Sequence, residues 1–180
     1  MFFSIAVLIA GGIGATAVFL VGSAQRRDDR RAILAYERSL TSPLREGGRI
    51  VQEEMKPSLG ELASGELSSA AALGRASAWR RVLEGVRSDV SALTPPSFLG
   101  DIEQRWKAAM DGYLAAADLF GRAASAGPGA ERTRLLSEAA NAGTRADKLF
   151  DAAAAVIQSH RRRLGLGPTT SLPDPGATSG

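Results

Sequence analysis

The chain has 180 residues, no cysteine, one histidine and a net charge of +3. Without cysteine it has no disulfide, no thiolate nucleophile and no thiolate metal site. The length gives room for one domain beyond a membrane segment, and the charge excess is small. Lys56, Lys107 and Lys148 are the only lysines. With abundant Ala and Gly, this points to a GC-rich coding sequence, which weakens a functional reading of the arginines.

The stretch Phe2–Val21, FFSIAVLIAGGIGATAVFLV, carries no charge. About 20 apolar residues cross roughly 30 Å of hydrocarbon as a helix. The expectation is a single-pass transmembrane anchor over residues 1–24. The competing reading is a cleaved signal peptide, with Gly22-Ser23-Ala24 as the small-residue site before Gln25. A signal peptide has a basic n-region and an apolar core of roughly 7–15 residues. Here only Met1 precedes a longer run, which favours retention. Inside the run, Ala10 and Gly14 are four apart, as are Gly11 and Ala15. Such small-xxx-small pairs let membrane helices approach closely.

Residues 25–62 form a basic segment and a first, broken helix. Arg26, Arg27, Arg30 and Arg31 adjoin the apolar run and are candidate lipid and topology contacts. By the positive-inside rule they place the bundle on the cytoplasmic side; the contrary reading is an extracytoplasmic domain behind an uncleaved signal. From Arg31 to Leu62, the residues Ile33, Tyr36, Leu40, Leu44, Val51, Met55, Leu59 and Leu62 form a helical apolar stripe. Pro43 removes a backbone donor, so a kink or break is expected near Ser42. Gly47-Gly48 weakens the helix again, and Pro57 marks a second interruption.

After a turn over Glu61–Glu66, residues 63–167 read as a bundle core. Ala72, Ala76, Trp79, Leu83, Val86, Val90 and Leu93 step 4-3-4-3-4-3, a heptad seam of coiled-coil type. Thr94-Pro95-Pro96 ends that helix, and Ser97 is the expected N-cap of the next. Leu99, Ile102, Trp106, Ala109, Tyr113, Ala116, Phe120 and Ala123 repeat the rhythm. Gly127-Pro128-Gly129 closes it, with Pro128 expected in the first turn of the last helix. There the seam is Leu136, Ala139, Gly143, Ala146, Phe150, Ala153, Ile157, His160 and Leu164. Arg161, Arg162 and Arg163 complement the helix C-terminus. Residues 168–180 are Pro, Gly, Ser and Thr with one acid, the composition of a disordered tail.

The chemistry in the sequence is sparse. His160 has no second histidine or cysteine to complete a metal site. Glu53-Glu54 and Asp147 with Asp151 read as solvated helix faces, since nothing in the sequence buries them. There is no phosphate-binding loop, dinucleotide fingerprint or nucleophile elbow. Trp79 and Trp106 stand at heptad positions and read as core. The basic clusters lack the exposed aromatics of a nucleic-acid surface.

The expectation is therefore an all-α protein: a transmembrane helix, then an antiparallel bundle of three long helices plus the broken first helix. The function expected is a non-enzymatic interaction or assembly module at the membrane surface. Its partners would be membrane lipid and a protein partner or a second copy, with no nucleic acid and no cofactor. The alternative is an extracytoplasmic ligand-sensing or substrate-binding bundle with a small apolar pocket between helices.

Overall fold

The computed structural model describes the backbone of residues 5–169 and the side chains of residues 24–169. Within these residues the chain is all-α and has no strand. The α-helices are α1 (Ile5–Arg49), α2 (Lys56–Ser64), α3 (Ser69–Ala92), α4 (Ile102–Ser125) and α5 (Ala130–Arg163). A π-helical stretch, Ile50–Met55, joins α1 to α2, and the backbone stays helical at both junctions. The three segments thus form one rod.

The rod differs from the broken helix read in the sequence. Helix α1 runs through Pro43 without a break, although Pro43 leaves the carbonyl four residues back without its usual donor. Gly47 does not interrupt it either. This glycine is buried, and a Cβ there would lie 3.4 Å from Val86 Cγ1, so its bareness lets α1 approach α3. The irregularity falls just before Pro57. Proline has no N–H and its ring crowds the carbonyl at i−4. The helix widens ahead of it, and the Lys56 N–H reaches back to the Val51 carbonyl.

Other boundaries shift for local reasons. Helix α2 continues into the expected turn and stops at Gly65, whose φ of +84° is the left-handed C-cap conformation that glycine accepts. The Ser68 hydroxyl then caps α3 by accepting from the Ala71 N–H at 3.3 Å. Ser97 does not cap α4. It opens a single 3-10 turn, Ser97–Leu99, and α4 begins at Ile102 after Asp101. Pro128 lies outside α5, which starts after Gly129.

The rod packs on α3 and α5, and α4 packs on the same two helices from the opposite side. The result is an antiparallel four-rod bundle around one core that runs from Ile33 to Ile157. The aromatic seam residues fill its layers. Trp79 meets Phe120 with ring centroids 4.9 Å apart, and Trp106 meets Phe150 edge-on at 5.0 Å. Gly112 marks a close crossing of α4 and α5: a Cβ there would lie 2.8 Å from Ala146 Cβ.

The seams hold, with exceptions. Leu59, Leu93, Gly143, His160 and Leu164 are only half-buried, and Ala142 rather than Gly143 is in the core. A second buried row, including Met110, Ala117, Ala124 and Leu135, widens the contact between α4 and its neighbours. Among the described residues, no helix is long and apolar enough to cross a membrane. The side chains of the Phe2–Val21 stretch, with Ala10, Gly11, Gly14 and Ala15, lie outside the described residues, as does the tail beyond residue 169.

Candidate functional site

Two features of the bundle have chemistry of their own. The first is a partly open cleft of about 270 Å³ beside the π-helical turn, between the rod, α4 and α5. Its walls are mostly apolar. Val51, Met55 and Leu59 of the rod face Trp79 and Phe120, and Ala139, Ala140 and Gly143 of α5 form a flat floor. The small side chains of α5 leave the space that the larger ones of α3 and α4 do not fill.

One corner is polar. Asp147 Oδ1 accepts the Tyr113 hydroxyl at 2.7 Å, and Oδ2 pairs with Lys56 Nζ at 3.3 Å. Lys56 also donates to Gln52 Oε1 at 2.9 Å. Burial, reinforced by the Asp147 carboxylate, pushes the Tyr113 hydroxyl well above its ordinary range. The Thr144 hydroxyl, at the same edge, donates to the Ala140 carbonyl at 3.0 Å. Behind the wall, the Trp79 indole N–H donates to Glu54 Oε2 at 2.8 Å. That hydrogen bond, helped by Arg49, holds the Glu54 carboxyl below the usual carboxylate range. Glu54 lies in the π-helical stretch, so the widened turn is tied to the core through this bond.

Glu54 and Asp147 are not merely solvated faces: each anchors an aromatic side chain of another helix. Asp147 follows the seam residue Ala146, so its side chain flanks the α4–α5 contact, but only packing shows that Tyr113 meets it. Glu53 is exposed, as read, and Asp151 is exposed one turn beyond Asp147. Among the described residues, no cluster of His, Cys, Asp and Glu could hold a metal ion.

The second feature is the end of the bundle from which α1 leaves. Arg26, Arg27, Arg30 and Arg31 are exposed there. Arg30 Nε donates to the Leu164 carbonyl at 2.6 Å, joining the start of the chain's bundle to its last helix. Arg162 and Arg163 are exposed at the same end. Arg161 is not a solvated helix-end charge. It is buried, paired with the buried Glu37, and its Nε donates to the Gly167 carbonyl at 2.7 Å. His160 packs against Phe98 with the rings tilted and their centroids 5.4 Å apart. Burial, with Arg163 nearby, holds its pKa below the ordinary value.

Comparison of the chain with family models, curated proteins and solved structures finds no match. The functional reading therefore rests on these two features.

Proposed function

We propose that this chain is a non-enzymatic helical-bundle module, tethered to a membrane by the Phe2–Val21 segment and resting on the bilayer by its basic end. The observation that carries this reading is the Arg30–Leu164 hydrogen bond. It gathers two arginine clusters from opposite ends of the sequence around the point where α1 leaves the bundle. Each cation near an anionic leaflet gains about 1 kcal/mol, so the gathered clusters favour an upright bundle. Its long helical faces would then be presented to a protein partner or a second copy. The arginines beside the apolar segment favour the cytoplasmic side. The Asp147 carboxylate in the cleft is engaged by Tyr113 and Lys56, and Glu54 behind its wall by Trp79, which suits binding or structure better than acid–base turnover.

Alkaline carbonate extraction tests the tether. The protein should stay in the membrane pellet with its N-terminus intact; a soluble chain beginning at Gln25 would overturn the reading. The upright pose is tested in anionic nanodiscs carrying a lanthanide chelate on the headgroups. A nitroxide at position 163 should be relaxed strongly and one at position 127 weakly. Equal relaxation would mean that the bundle lies flat or stands clear of the surface.

A further inference from the structure

We propose that the cleft beside the π-helical turn binds a small neutral molecule, with an apolar or aromatic body and one hydroxyl or amide group. Its size sets the first limit. The cleft measures about 270 Å³, and an apolar cavity of roughly 150 Å³ accepts benzene. A body on the order of ten heavy atoms therefore fits.

Gly143 indicates that the space is a built feature. Glycine inside a helix costs about 1 kcal/mol relative to alanine. At Gly112 the close approach of Ala146 demands it, but a Cβ at Gly143 would meet nothing within 4 Å among the described residues. Gly60, Gly74 and Gly85 are equally unopposed, yet they are exposed and do not line the cleft. Gly143 lines it, and its missing side chain keeps the floor of the cleft flat.

The polar corner selects the head group. Lys56 and Asp147 cancel each other's charge across 3.3 Å. An anion entering the corner meets the Asp147 carboxylate, and an ammonium meets Lys56. A neutral hydroxyl or amide can donate to Asp147 and accept from Lys56, with no net charge brought out of water. Trp79 and Phe120 close the base of the cleft but are themselves covered, so the body of the ligand rests mainly on the apolar surface left open around Leu59 and Gly143.

Trp79 lines the cleft, whereas Trp106, the only other tryptophan, packs against Phe150. The test uses full-length protein in nanodiscs with Trp106→Phe, so that Trp79 is the sole tryptophan and is excited selectively at the red edge, beyond tyrosine absorption. Bromobenzyl alcohol, a neutral heavy-atom quencher, should quench it saturably. Gly143→Leu fills the cleft and should abolish the saturable component, while Gly85→Leu, on the exposed face of α3, should keep it. Bromobenzoate and bromobenzylamine should saturate only at higher concentration. Linear quenching in the parent, saturable quenching in Gly143→Leu, or tighter binding of the anion or the amine would each overturn the proposal. If circular dichroism shows either variant unfolded, fluorine NMR of fluorobenzyl alcohol with the wild type and with Gly143→Met makes the same comparison. Line broadening by the wild type alone supports the site, and equal broadening overturns it.

Discussion

Glu37 and Arg161 are 124 positions apart in sequence and form a buried ion pair in the bundle. One carboxylate oxygen takes the guanidinium, and the other, Oε1, has no hydrogen-bond partner among the described residues. Burial raises the Glu37 pKa above its ordinary 4.5, against the opposing pull of Arg161. A folded-state pKa above the unfolded one means that the folded state holds the proton more tightly between the two. Stability from this group is complete below about pH 4.5 and is lost as the pH rises through the folded value. His160, with its lowered pKa, acts with the opposite sign, so the effect is read as a difference between variants. Glu37→Gln should match the wild type near pH 4.5 in urea titrations and become the more stable of the two as the pH rises. A gap opening the other way would mean that Arg161 outweighs burial. Arg161→Met, which leaves the carboxylate alone, should cost about 3–5 kcal/mol, and adding Glu37→Leu should recover most of it. At the centre of the core, Trp106→Ala should cost about 3–5 kcal/mol, whereas Arg105→Ala, which loses a surface pair with Asp101, should cost under about 1 kcal/mol.

At the scale of the helices, glycine has two opposite roles, and a pair of substitutions separates them. Gly112→Ala places a methyl 2.8 Å from the Ala146 methyl and must push α4 and α5 apart. It should destabilise by about 1–3 kcal/mol despite the better helix propensity of alanine. Gly85 is exposed in α3 and a Cβ there meets nothing, so Gly85→Ala should stabilise by about 0.5–1 kcal/mol. Thermal unfolding followed by circular dichroism checks both; shifts of the same sign would mean that the α4–α5 crossing is looser than described. The rod shows why proline position matters. Pro43 lies within a helix that α3 and α5 hold from outside, and it is absorbed. Pro57 coincides with the wide turn that delivers Glu54 to Trp79 and Lys56 to Asp147.

For the whole molecule, the antiparallel order puts the chain's two arginine clusters at one end and the 65–68 and 126–129 turns at the other. Arg132 ties those turns together, donating to Ser69 Oγ at 2.8 Å and to the Ala123 carbonyl. The orientation of this object across a membrane is set by the proposed tether and the positive-inside bias. A C-terminal epitope should be protected from external protease in intact cells. Replacing Arg26, Arg27, Arg30 and Arg31 with Gln should expose part of the population, and adding Lys before Phe2 should do the same. Digestion of the wild-type epitope would place the bundle outside and favour an extracytoplasmic binding role.

The seams of α3, α4 and most of α5 were legible in the sequence because helical periodicity alone decides which side chains can share a core. The all-α class, the order of the helices and the burial of Trp79, Trp106 and Phe120 stem from that spacing. What periodicity cannot encode is which polar residue at the edge of one seam meets which residue of another. Tyr113 finding Asp147, Trp79 finding Glu54 and Arg161 finding Glu37 depend on the rotation and height of packed helices. Neither can be derived from one helix considered alone. The continuity of α1 through Pro43 and the emptiness beside Gly143 have the same origin. Local propensity set a cost at each position, and only the neighbouring helices decided whether the backbone would break or the space would be filled.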